Sequence, residues 1–332
     1  MNMNKLYLVC ILFLSRHANA YDVGIGVHPL EFKGSPEEFV SLLEKYHFSS
    51  FRVDYPWKYV EQEKRQYESA SPFLDEVIFL AAKKNIRPLI ILDYGNKLYG
   101  DGKPVTPDQV KAFSLYARWT ANHFKSTHPI YEIWNEWSLQ KPRYVSHGEK
   151  SASEYVTLVK ETSKEIKSQD SQSSIIAGGF TPSIPGEIEW GEMIVKFGIL
   201  KYADGLSIHP YNHWVSPFPS VDESLKNIQM LQSKLSSVNN GNKVDIYITE
   251  YGLSDFRGSK LTDEQISSYA SEYLKQAKQN GNINGIWWYD LINDGTDGRN
   301  IEDNFGLLTN DLKEKPLAKA FKVTAQKDDS NK

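Results

Sequence analysis

Residues 130 to 137 read Ile-Tyr-Glu-Ile-Trp-Asn-Glu-Trp, and residues 245 to 252 read Asp-Ile-Tyr-Ile-Thr-Glu-Tyr-Gly. Each is a short apolar run that ends in a glutamate, Glu136 in the first and Glu250 in the second. A carboxylate at the end of a buried strand is costly to desolvate, so a chain that places two of them there has a use for them. Around these runs the sequence alternates strand and helix. The pattern predicts strands near 22–28, 50–55, 87–94, 130–135, 173–179, 205–211, 244–251 and 284–290. Eight such units fill a closed α/β barrel, the (β/α)8 or TIM barrel, as a single domain.

Two local signals support the reading. Pro88-Leu89-Ile90-Ile91-Leu92, Ser174-Ile175-Ile176-Ala177 and Ile246-Tyr247-Ile248 lack polar alternation, as parallel strands buried on both faces do. Between the last two strands, Ile266, Tyr269, Ala270, Tyr273, Leu274 and Ala277 recur at helical spacing, with Thr262 and Gln265 placed as a capping box and Gly281 just past the end. An open doubly wound sheet is the competing architecture. It would carry a phosphate-binding glycine loop after its first strand, and Gly24-Ile25-Gly26 is not followed by the third glycine of that fingerprint.

With 332 residues, 40% hydrophobic and 24% charged, the chain can bury a full core. Lys5, the apolar stretch Leu6 to Leu14 and Ala18-Asn19-Ala20 have the order of a secretory signal peptide, so residues 1–20 are expected to be a leader. The barrel is expected over 21–325 and a polar tail over 326–332. The leader implies a secreted or periplasmic protein. No later segment approaches the roughly 18 apolar residues of a membrane helix, so membrane insertion is not expected. Cys10 is the only cysteine and falls inside the leader, which excludes an intrachain disulfide and a thiolate metal site. Loss of Lys5 and Arg16 would move the formal charge from -4 to -6, which argues against nucleic acid as a partner. A monomer is expected.

In a barrel of this kind the working residues sit at the C-terminal strand ends. Those ends are strongly polar here: His28; Arg52 and Asp54; Asp93 and Tyr94; Asn135 and Glu136; His209 and Tyr211; Glu250; Trp288 and Asp290. Aromatics make up 13% of the chain, and Tyr55, Trp57, Trp137 and Trp214 fall near the same ends, where flat rings could stack on sugars.

These motifs resemble the clan of retaining glycoside hydrolases that carry two catalytic glutamates on strands four and seven of an eightfold barrel. Trp134-Asn135-Glu136-Trp137 looks like the clan's acid/base signature and Thr249-Glu250-Tyr251-Gly252 like its nucleophile strand. Leu92-Asp93-Tyr94-Gly95-Asn96, Leu206-Ser207-Ile208-His209-Pro210-Tyr211 and Asn304-Phe305-Gly306-Leu307-Leu308 look most like family 39, with family 5 as a near neighbour. The resemblance implies a polysaccharide or oligosaccharide substrate and no cofactor or metal. It further implies Glu250 as nucleophile with Arg52 beneath it and Tyr211 beside it, and Glu136 as acid/base. Asn135 would bond the sugar 2-hydroxyl, His209 would support the network, and Trp288 would floor the sugar. Asp93, Trp57, Trp137 and Trp214 complete the candidate substrate-binding set, and Trp287 is expected to pack under the helices.

Two metal readings fail on spacing. Pro210 argues against a helix that would align His209 with His213, and Asn293-Asp294-Gly295-Thr296-Asp297-Gly298 echoes a calcium loop with Gly295 where a ligand is needed and Asn304 in place of the closing glutamate. The loop reads instead as substrate-facing, although an ordered cation there stays open. The aromatic strand ends favour endo action on a β-linked chain such as an exopolysaccharide. The alternatives are an exo-acting β-xylosidase-like enzyme, a transglycosylase and a binding-only barrel.

Overall fold

The structure, a computed structural model, describes residues 21–139 and 147–322. The expected leader (1–20) and polar tail (326–332) lie outside the described residues.

Eight parallel strands close into a barrel in sequence order. They are β1 (Asp22–Gly26), β2 (Ser50–Asp54), β3 (Arg87–Leu92), β4 (Ile130–Ile133), β5 (Ser174–Phe180), β6 (Gly205–Ile208), β7 (Ile246–Tyr251) and β8 (Ile283–Trp288). β8 closes on β1 with Trp287 opposite Gly24 and Trp288 opposite Ile25. Around the barrel run α1 (Pro36–Lys45), α2 (Trp57–Val60), α3 (Pro72–Lys83), α4 (Pro107–Phe124), α5 (Glu149–Gln169), α6 (Glu187–Lys196), α7 (Val221–Val238) and α8 (Asp263–Gln279).

The helix starts are written locally. Ser35 with Glu38, Thr106 with Gln109, Ser220 with Glu223 and Thr262 with Gln265 all form the reciprocal capping box, which satisfies two of the free N–H groups at each start. Gly281 does follow α8, but the chain leaves through Asn280 in an extended conformation (φ -80°, ψ 105°), so no left-handed glycine is needed there.

The interior of the barrel is filled by Leu89, Ile91, Ile130, Ile176, Tyr247 and Trp287. This corrects the expectation that Trp287 packs under the helices. Its indole points inward and donates from Nε1 to Ser50 Oγ at 2.9 Å, and a Cβ on Gly24 would lie 2.2 Å from its Cδ1. Glycine on the adjoining strand makes the room, and burying an indole of roughly 200 Å² contributes about 5 kcal/mol of gross transfer free energy. By strand alternation Trp288 then faces outward and Tyr289 faces the mouth.

Candidate active site

β2, β4, β6 and β7 deliver one connected set of side chains to the C-terminal mouth. Arg52, only 5% exposed, is its centre. Its Nε donates to Glu132 Oε2 (2.8 Å), its Nη1 to Glu250 Oε2 (2.9 Å) and its Nη2 to Asn135 Oδ1 (2.8 Å). The other oxygen of Glu250 accepts from Tyr211 OH at 2.9 Å. His209, fully buried, shares a hydrogen bond between Nδ1 and Glu136 Oε1 at 2.9 Å and stands 3.9 Å from Glu250 Oε2. Asn135 Nδ2 donates to Tyr94 OH at 2.7 Å. The structure therefore brings together Arg52, Asn135, Glu136, His209, Tyr211 and Glu250, all singled out in the sequence. Oxygens of Glu136 and Glu250 and a ring nitrogen of His209 all lie within 4.8 Å of one another.

The backbone bends to make this possible. Trp134 and Glu136 hold positive φ (65° and 50°) where β4 ends, which turns Glu136 toward the mouth. Neighbouring β5 answers with two glycines. A Cβ on Gly178 (φ +137°) would lie 2.5 Å from Ser207 O, and one on Gly179 (φ +60°) would lie 2.9 Å from the backbone nitrogen of Glu136. Only glycine lets β5 pass that close.

Burial pushes the Glu250 carboxyl up, but the charges of His209 and Arg52 and the hydrogen bonds from Tyr211 and Arg52 outweigh it and hold the group below the usual glutamate range. For His209, burial pulls the imidazole down while the charges of Glu250 and Glu136 and the bond to Glu136 raise it, leaving it above the ordinary histidine value. An ionised carboxylate thus sits beside a second, half-exposed glutamate across an open mouth.

A second cluster lies where β1 and β8 meet. His28 Nδ1 is 2.6 Å from Asp294 Oδ1 and 3.8 Å from Asp290 Oδ2, and Tyr289 OH donates to Asp294 Oδ2 at 2.8 Å. Burial lowers the His28 pKa, but Asp294, Asp54 and Asp290 outweigh it and raise the imidazole to about 9. Asp290 is pushed well above the carboxylate range, first by burial and then by the charge of Asp294. His28 and Asp294 also line a cleft of about 470 Å³ shared with Phe32, Lys33, Asn293 and Asn310.

Several expected substrate contacts are corrected. Trp288 is fully buried and packs edge-on against Tyr251 (5.4 Å) and Phe321 (5.9 Å), so it cannot floor a sugar. The half-buried ring of Tyr289, edge-on to His28 and Phe305, faces the mouth instead. Trp57 donates to Glu61 Oε2 at 2.7 Å and stacks on Tyr99, Trp137 donates to Ser151 Oγ at 3.1 Å, and Tyr55 bonds Asp75; all three are buried in the layer between strands and helices. Asp93 is fully buried, its carboxyl raised far above the usual range by burial and then by Asp54, so it does not reach solvent. Among the named aromatics Trp214, 47% exposed, is available, as is Tyr94 at 41%.

The turn-rich loop after β8 is knit by its own groups. Asn304 Nδ2 donates to the carbonyls of Asp297 and Asn300, and Lys315 Nζ donates to Asn293 Oδ1 and Asn304 O at 3.0 Å each. A lysine ammonium supplies the positive charge there. His213, whose burial lowers its pKa, packs against Trp214 and belongs to neither of the two clusters of potential ligand groups found among the described residues.

Sequence reasoning missed Glu132, Thr249 and Tyr289. A charge inside an apolar strand, Ile-Tyr-Glu-Ile, was the available signal for Glu132.

The closed barrel with paired glutamates, one just after β4 and one on β7, defines the class of eightfold-barrel glycoside hydrolases. Residues 23–293 match the family described as "Cellulase (glycosyl hydrolase family 5)", and the chain belongs to that family. No curated protein matches the sequence significantly. Among solved structures the chain is similar to a family 39 glycoside hydrolase from the gut symbiont Bacteroides cellulosilyticus WH2, with TM-score 0.73 and 23% identity over 93% of this chain and 64% of that one. It is also similar to an exo-β-1,4-mannosidase from Opitutaceae bacterium strain TAV5, with TM-score 0.68, 14% identity, and 93% and 59% of the two chains covered. A third is xylanase 10B from Thermotoga maritima, with TM-score 0.65, 12% identity, and 95% and 97% covered. The chain thus spans less than two thirds of the first two, and at these identities the likeness is one of fold.

Proposed function

We propose that this protein is a secreted or periplasmic retaining glycoside hydrolase that cleaves β-linkages within a polysaccharide, an exopolysaccharide or similar glycan, by double displacement. The observation that carries the reading is the spacing of Glu136 and Glu250, with oxygens within 4.8 Å of each other. Inverting enzymes hold their carboxyls roughly 6.5–9.5 Å apart to admit a water between them and the sugar, whereas retaining ones hold them about 5–5.5 Å apart.

A Glu250 oxygen attacks the anomeric carbon as the glycosidic C–O bond breaks, and the proton of Glu136 passes to the leaving oxygen. Water then attacks the same carbon, gives a proton to the Glu136 carboxylate, and releases Glu250. Arg52 and Tyr211 keep the nucleophile ionised, one on each oxygen. Asn135, held by Arg52, presents its amide to the sugar 2-hydroxyl.

Endo action is supported by exposed aromatic rings that could each stack on a further sugar, Trp214 after β6 and Tyr94 after β3. The leader-like N-terminus supports secretion. Reducing-end release with product sizing, on β-glucans, xylans, mannans and bacterial exopolysaccharides, tests the reading. Polymer fragments with a retained β-anomer in early NMR spectra are expected, and monosaccharide alone, or an inverted anomer, would overturn it.

A further inference from the structure

Beneath the two glutamates lies a third that the mechanism above leaves unused. Glu132, in the middle of β4 and four residues before Glu136, is fully buried inside the barrel. An isolated carboxylate there would be expelled or protonated, yet both its oxygens are taken: Oε2 accepts from Arg52 Nε at 2.8 Å and Oε1 from Thr249 Oγ1 at 2.9 Å. Thr249 immediately precedes Glu250 on β7, so one side chain ties β2, β4 and β7 together across the interior.

Arg52 would otherwise have a choice. Its guanidinium has a single plane and serves two mouth residues on different strands, Glu250 through Nη1 and Asn135 through Nη2. Two contacts from one edge leave the fork free to pivot about its stem. A third, charge-assisted bond on Nε, from a rigid strand position, removes that freedom. The bond from Thr249 fixes Glu132 in turn.

We infer that Glu132 is a positioning residue: it locks Arg52 in the one orientation that serves Glu250 and Asn135 together, and so sets the geometry at the reacting centre without touching substrate. The inference goes beyond the proposed function and rests on its assignment of Glu250 as nucleophile. The negative charge of Glu132 also opposes the charge that Arg52 presents to Glu250. The charged and titratable groups facing Arg52 and Glu250 are Asp54 on β2, Asp93 and Tyr94 after β3, Glu132 and Glu136 on and after β4, His209 and Tyr211 after β6, and Tyr289 and Glu302 after β8.

The test uses the full chain and whichever 2,4-dinitrophenyl β-glycoside among glucoside, xyloside, galactoside and mannoside the wild type turns over best. Glu132→Gln keeps the shape and loses the charge. Its kcat/KM is expected to fall about 10- to 100-fold, mostly in kcat. The acid limb of its pH profile moves to lower pH, because Glu250 loses a like charge nearby. Glu132→Asp keeps the charge but is too short to reach Arg52 and Thr249 at once, so its acid limb stays in place while kcat falls. A lowered melting temperature with an unmoved acid limb and kcat/KM within twofold of wild type for Glu132→Gln makes the residue merely structural and overturns the inference, as does wild-type kcat in Glu132→Asp. Full activity in Glu250→Gln sinks the functional reading itself, and a wild type inactive both on these glycosides and on the polymer panel above sinks both.

Discussion

The mouth of the barrel holds two clusters built from the same parts, a histidine between two carboxylates, that end in opposite states. Glu136 and Glu250 flank His209, and Asp290 and Asp294 flank His28. In the first, Arg52 and Tyr211 donate to Glu250 and hold it ionised. In the second, no guanidinium enters among the described residues; Asp294 takes His28 and the Tyr289 hydroxyl, and Asp290 is left buried beside a like charge, which together push its carboxyl well above the usual carboxylate range. What distinguishes the clusters is the number of donors pointed at the buried carboxyl, which decides whether desolvation or hydrogen bonding wins.

The largest test of that difference is to neutralise one carboxyl in each. Glu250→Gln should remove turnover by about 10⁴-fold or more, while Asp290→Asn should leave kcat within about tenfold, both read by reducing-end release. Within the first cluster, Glu136→Gln should slow unactivated polymers by about 10²- to 10⁴-fold and activated aryl glycosides far less, because a good leaving group needs no proton. Equal losses on both substrates would remove Glu136 from the acid role.

Next in size is the backbone that serves only the first cluster. Gly179→Ala places a side chain at φ +60° and 2.9 Å from the Glu136 nitrogen, and should cost about 1–2 kcal/mol in denaturant unfolding with a matching fall in kcat.

The two clusters should also answer pH with opposite sign. Glu250 has a lowered folded pKa, so its stabilisation is complete above the unfolded value of about 4.3 and is lost as pH falls through the folded one. Asp290 has a raised folded pKa, so its protonated form favours the fold below the unfolded value of about 3.9, and that advantage is lost as pH rises toward the folded one. His28, raised to about 9, behaves likewise over the window from about 6.5 to its folded value. Melting curves should therefore show Asp290→Asn gaining on wild type as pH rises, and Glu250→Gln losing least at acid pH. Parallel curves would show that the clusters do not differ as described.

Trp214, in neither cluster, should give the smallest effect. Trp214→Ala should change stability by less than about 0.5 kcal/mol and raise KM for long chains roughly fivefold, the worth of one stacked ring. An unchanged KM would take Trp214 off the substrate path.

The polar strand ends were legible because in a parallel barrel nothing else needs charge there. Position along the strand put Arg52, Asn135, Glu136, His209, Tyr211 and Glu250 among the strand-end residues, and the family resemblance singled them out from His28, Asp54, Asp93 and Asp290 beside them. The aromatics could not. Tyr55, Trp57, Trp137 and Trp288 lie in the same sequence zone as Tyr94 and Trp214, but a step of one residue turns a ring from the mouth to the helix layer. Periodicity finds the strand without finding its phase.

Period, capping and the run of buried strands determined the eightfold barrel and the paired glutamates from sequence by themselves, because those signals are local and repeat within a few residues. The identity of Tyr289 as the ring at the mouth, the inward turn of Trp287 over Gly24, and the bridge from Glu132 through Arg52 to Glu250 were decided only by closure of the sheet. Register across β8, β1 and β2 joins residues up to 237 apart in the chain, as for Trp287 and Ser50, and no local pattern carries that distance.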